Sequence, residues 1–177
     1  MNTKELLINL RACKEAREWA GDKTIEQIVF ECHRGDWLLW LGARVDIGLE
    51  PLTLAKGHCA NTVRHLMKDE RSLKAVDTAI AFGEGKANEN ELKKAAASAF
   101  ASHASYAAFY AASDGPASYA ASYAASAYAA YAVRDAGAYA IDDSVAAAKE
   151  NLLQTADICR KYIGDLIIEK VKEICHE

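Results

Sequence analysis

Ser118-Tyr119-Ala120-Ala121-Ser122-Tyr123-Ala124-Ala125-Ser126 repeats every four residues, and its reading decides the fold. On an α-helix a spacing of four stacks Ser118, Ser122 and Ser126 along one face, with Tyr119 and Tyr123 beside them. The repeat lies in a longer tract. Of the 54 residues from 95 to 148, 25 are Ala, and only Asp114, Arg134, Asp135, Asp142 and Asp143 are charged. Ala has the highest helix propensity, so the tract reads as helical. A biased tract is also a disorder signal, but here Tyr is frequent and Pro nearly absent. Asp114-Gly115-Pro116 is a clear breaker, since Gly ends helices and Pro opens them. Asp135-Ala136-Gly137 is a softer one, so the tract folds into two or three antiparallel helices. Small Ala and Ser side chains bring helix axes toward the low end of the usual separation of about 8–10 Å. The tyrosines then supply much of the apolar area, about 150–250 Å² each.

The flanks are helical too. Leu6, Leu7, Leu10, Cys13, Ala16 and Trp19 form one stripe at spacings of three and four, which predicts a helix over 4–20. Thr24 with Gln27 is a capping-box pair for a second helix that stops at Gly35. Asp36 is a cap candidate for a short buried helix over 37–47, carrying the run Trp37-Leu38-Leu39-Trp40-Leu41. Gly48 and Pro51 separate it from a helix over 51–67, and another covers 69–83. Asn88 or Asn90 caps a helix from Glu91 to Ser113, and the C-terminal part reads as 142–162 and 165–175, divided at Gly164. The fold class is therefore all-α: one helical domain over 1–177, aliphatic and Trp-rich over 1–87, Ala-rich and C-terminal over 88–177.

Composition narrows the function. The chain has 177 residues, 51% hydrophobic and 26% charged, with net charge −4. Its pI is about 5.8 and its mean hydropathy is −0.12. An acidic chain without basic clusters gives no electrostatic footprint for nucleic acid. The longest apolar runs fall short of a membrane span. The N-terminus, with charges scattered through it, does not read as a signal peptide. Five Cys, an odd number without CxxC spacing, read as reduced thiols of a cytoplasmic protein.

Chemistry-bearing patterns are sparse. Cys32-His33 and His58-Cys59 supply the residue types of a zinc site. Neighbours on a helix diverge by about 100°, so each pair reads as a buried thiol and a surface imidazole. Two Glu-x-x-His motifs, as di-iron bundles need, phosphate-cradling glycine loops and nucleophile elbows are missing. The expectation is no enzyme, no cofactor and no metal.

Binding is the remaining class. Tyr106, Tyr110, Tyr119, Tyr123, Tyr128 and Tyr131 read either as contributing an outward partner-binding surface, Tyr being enriched at interface hot spots, or as core knobs with hydroxyls at the bundle edge; Tyr119, Tyr123 and Tyr131 are the site candidates. Asp142 and Asp143, with Asp135, make the middle of the chain acidic, which suits a basic protein partner. The other reading of Asp142 or Asp143 is as a helix N-cap.

Taken together, Arg11-Ala12-Cys13, Arg17-Glu18-Trp19, Cys32, Gly35-Asp36-Trp37-Leu38-Leu39-Trp40, His58-Cys59-Ala60, the Ala-rich tract, Gln154, Asp157-Ile158 and Arg160 form a pattern. It resembles the Imm5-like immunity protein family of bacterial polymorphic toxin systems, over almost the whole chain. The resemblance implies an all-α cytoplasmic protein without catalytic activity that binds and neutralises a cognate toxin protein. It lends no binding residues; Trp19, Trp37 and Trp40 match the pattern but read as core. Against it stands a structural helical adaptor that self-associates, for instance as a homodimer, through its small-residue faces and their Tyr ladders.

Overall fold

The computed structural model describes residues 1–101, 106–136 and 141–176. Side chains at 100–101, 128–136, 141–144 and 176 lie outside that description. Among the described residues the chain forms ten α-helices and one 3-10 turn. They are α1 Thr3–Asn9, α2 Lys14–Ala20, α3 Ile25–Glu31, α4 Gly35–Arg44, α5 Leu49–Asn61, α6 Glu70–Gly83, α7 Glu89–Ala101, α8 Tyr106–Ala112, α9 Ser118–Ala136 and α10 Ile141–His176. The 3-10 turn is Arg64–Leu66. None of these helices is long and apolar enough to cross a membrane.

The long α10 is the spine, and α3, α4, α5 and α9 pack along it. Around it lies an aliphatic core that includes Leu38, Leu39, Ile163 and Ile167, all 1% exposed or less. A second core is alanine-rich and joins α6, α7 and α8 through Ala75, Ala79, Ala99, Ala107, Ala108 and Ala111. Ala120 and Ala121 of α9 enter the first core and Ala124 the second, so the repeat bridges the two.

Close approach depends on glycines as well as alanines. A Cβ on Gly35 would lie 2.6 Å from the Thr155 carbonyl carbon, so the start of α4 rests directly on the α10 backbone. A Cβ on Gly83 would lie 2.7 Å from Leu54 Cα, which brings the end of α6 equally close to α5.

Several expected helix limits differ. Gly35, expected as a stop, is the first residue of α4, which ends at Arg44 rather than at 47. The helix over 4–20 is two helices. Arg11 and Ala12 donate from their backbone N–H groups to Ile8 O and Leu7 O, with Arg11 at φ 60°, a Schellman stop made without glycine. The helix over 51–67 ends at Asn61 and continues as the 3-10 turn. The one from Glu91 to Ser113 is α7 and α8, which contact each other as well as α6. The 142–162 and 165–175 pair is one helix running through Gly164. A single helical Gly costs only about 1 kcal/mol relative to Ala, and here the missing Cβ leaves room for Val29 Cγ1 of α3.

Local capping follows the sequence at three N-termini. Asn2–Glu5 and Thr24–Gln27 form capping boxes at α1 and α3, and Asn88 and Glu91 exchange the same pair of bonds before α7. Asp36 is not a cap. The N-cap position of α4 is Arg34, and Asp36 sits inside the first turn, where a carboxylate favours the positive helix end.

Candidate functional site

The Gly35–Trp40 run places its charged and aromatic groups at one end of α4. Arg34 donates to Asp36 through Nε at 2.8 Å and Nη2 at 2.7 Å, a bidentate pair with the carboxylate almost fully buried. Ser122 Oγ of α9 donates to the same carboxylate at 3.3 Å, so the serine face of the repeat is turned toward α4. Glu15 of α2 lies 3.6 Å from Arg34 Nη1. The guanidinium sits 4.7 Å from the ring centre of Trp37, and its proton is held more tightly than usual by the bond to Asp36.

Trp37 belongs to a ring triangle with Trp19 of α2 and His33, at centroid distances of 5.8 to 6.2 Å. Lys23 Nζ lies over Trp19 at 4.7 Å. All three tryptophans are half-buried: each packs on the aliphatic core by one edge and reaches the surface by another. Trp19, Trp37 and Trp40 also line an apolar pocket of about 150 Å³, together with Leu7, Ile28 and Asp36. The sequence points to core for these rings; the residue pattern alone does not separate a fully buried Trp from one at a pocket mouth.

The tyrosines make a second aromatic cluster between α8 and α9. Tyr110 stacks on Tyr123 at 5.3 Å with an interplanar angle of 2°, and Tyr106 stacks on Tyr123 at 5.0 Å. Tyr119 stands edge-on to Tyr110 and Tyr123. Of the site residues named from sequence, Tyr119 is 42% exposed and Tyr123 is half-buried beneath it. Tyr106, one of the six tyrosines weighed from sequence but not among the named site residues, is the most open of the cluster at 59%. The side chains of Tyr131, Asp142 and Asp143 lie outside the described residues. The backbone of Asp142 and Asp143 is helical within α10, which is not the N-cap position.

The Cys and His pairs part company. Cys59 and Cys159 are fully buried with their sulfurs 3.9 Å apart where α5 crosses α10. Cys159 also donates to Gly35 O, and Cys32 to Arg34 O. Burial pushes the Cys32 thiol up to about 11 and raises that of Cys159, which disfavours the reactive thiolate. His33 joins the tryptophan triangle, whereas His58 stacks on Tyr162 at 4.4 Å, its proton affinity lowered first by burial. No set of three or more His, Cys, Asp and Glu side chains among the described residues is placed to hold a metal ion.

Two further charged side chains, half-buried Arg160 and buried Lys56, explain how the elements are pinned. Arg160 donates through Nη1 to Cys32 O at 2.6 Å and to Val29 O at 3.4 Å, so Asp157 and Arg160 tie α10 to the C-terminus of α3. Lys56 of α5, 2% exposed, donates through Nζ to Ser113 O at 2.8 Å, just after α8. Desolvation lowers its pKa to about 8.

Comparison with protein-family models, curated proteins and solved structures gives no match for this chain.

Proposed function

We propose that the chain is an immunity protein: it docks on a cognate bacterial toxin in the cytoplasm of the producing cell. It neutralises that toxin by surface complementarity, with no bond-making step of its own. The observation that carries this reading is the half-open tyrosine cluster. Tyr106 and Tyr119 expose aromatic faces already held in place by Tyr110 and Tyr123, so docking on them costs little side-chain ordering. The resemblance of the Gly35–Trp40 run and its companions to Imm5-like proteins points the same way, as does the one positive against four negative charges over 95–148. An interface of about 800 Å² per partner would take less than a tenth of the 9629 Å² surface.

The test is co-expression with the toxin candidates encoded beside this gene. Growth rescue by one of them, with a co-purifying complex, is the expected result. The variant Tyr106→Ser/Tyr119→Ser should stay folded, with a lowered melting temperature for the lost ring contacts, and fail to rescue. Failure of the wild type to rescue from any candidate would overturn the reading.

A further inference from the structure

The Gly35–Trp40 run builds more than a support for α4. The pocket lined by Trp19, Trp37 and Trp40 opens beside Ser118, the neighbour of Tyr119. Ser118 and Ser122 lie on the α4 side of α9, where Ser122 bonds Asp36, whereas Tyr119 and Tyr123 lie on the α8 side. The pocket and the tyrosine cluster thus flank the same first turns of α9.

The size of the pocket decides its occupant. An apolar cavity of about 150 Å³ is large enough to take up benzene. Sites for free small molecules run to about 300–1,000 Å³ and enclose most of the ligand. A free metabolite larger than a single ring would therefore keep much of its surface in water. A side chain carried on a protein avoids that cost, because its remaining contacts lie outside the pocket. One ring buries about 150–250 Å², roughly a quarter of the area that one partner contributes to a standard interface. The adjoining tyrosine cluster lies where the remainder would fall. Three Trp rings line the pocket, as at an interface anchor, and one of them, Trp37, is held from outside the lining by Arg34, itself fixed by Asp36.

From this geometry we infer that the pocket receives one aromatic side chain, phenylalanine-sized, from the protein partner that covers the tyrosine cluster. The inference rests on the binding-protein reading and adds to it the place and chemistry of the anchor.

The experiment uses the full chain and the indole N–H signals of its three tryptophans. N-acetyl-phenylalaninamide, N-acetyl-alaninamide and toluene are the probes. The expected result is saturable shifts of the Trp signals with the phenylalanine amide and with toluene, and none with the alanine amide. Ala16 lines the pocket from α2 and is half-buried, so Ala16→Leu fills the space from a helical position that accepts Leu. That variant should keep its melting temperature and bind the phenylalanine amide about tenfold or more weakly. Shifts with toluene alone would overturn the inference, since the mouth would then exclude a tethered side chain. So would no shift with either aromatic probe, or unchanged binding by Ala16→Leu. Each of these outcomes leaves the growth-rescue test of toxin neutralisation independent. Rescue without amide binding would remove the anchor and keep the immunity reading; amide binding without rescue would do the reverse.

Discussion

Arg11 holds φ at 60°, a conformation that costs an L side chain about 1–2 kcal/mol and costs glycine nothing sterically. Arg11→Gly should raise stability by about 1 kcal/mol in urea unfolding, because the two backbone bonds of the stop are kept. Gly35→Ala should do the opposite. Its Cβ meets the α10 backbone at Thr155, which cannot rotate away, so a loss of about 3 kcal/mol or more is expected. Lys56 adds a pH signature. Its folded pKa of about 8 lies below the ordinary 10.5, so beneath pH 8 both states are protonated and the fold bears the cost of burying the charge. Between pH 8 and 10.5 the native state loses the proton while the unfolded state keeps it, and stability rises with pH. The gain over that window is about 3 kcal/mol. Lys56→Met, measured beside the wild type by denaturant unfolding at pH 7 and pH 10, should lack this rise.

The helices themselves were legible because propensity, apolar stripes and caps agree along most of the chain. The capping box at Thr24 and the breaker at Gly115-Pro116 stand where the sequence puts them, and of the two cap candidates Asn88 and Asn90 it is Asn88 that bonds Glu91. Where helix limits went astray, tertiary contacts decided. The apolar stripe runs unbroken from Leu6 to Trp19, yet Arg11 turns the chain there and buries Ala12, with no glycine to announce the stop. Gly164 looks like a punctuation mark and is a contact point for Val29 instead. The thiols at the α4, α5 and α10 crossing give an element-level check. Cys32, Cys59 and Cys159 are buried, Cys13 is exposed and Cys175 half-buried. A thiol reagent at neutral pH should therefore modify Cys13 and Cys175 in the folded protein, and the other three only after denaturant is added. Rapid labelling of Cys59 or Cys159 without denaturant would mean that α5 and α10 separate readily.

At the scale of the molecule, the sequence supplied the tyrosines of the candidate surface and hid how they come together. Tyr119 and Tyr123 stood out because a four-residue repeat puts them on one side of a helix. Tyr106 lies outside that repeat and joins the cluster only through the packing of α8 on α9, which no local pattern encodes. The tryptophans were visible as residues and not as a pocket, since a half-buried ring and a fully buried one share the same spacing. This arrangement makes a prediction about assembly. A self-associating adaptor would use the open tyrosine faces against a second copy; an immunity protein leaves them free until its partner arrives. Light scattering at two protein concentrations should give the monomer mass of 19.2 kDa at both. If mass rises with concentration, Tyr106→Ser/Tyr119→Ser separates the cases. Loss of the larger species in that variant would assign the tyrosine faces to self-association and withdraw them from the toxin. Persistence would place the homotypic contact elsewhere and leave the faces available.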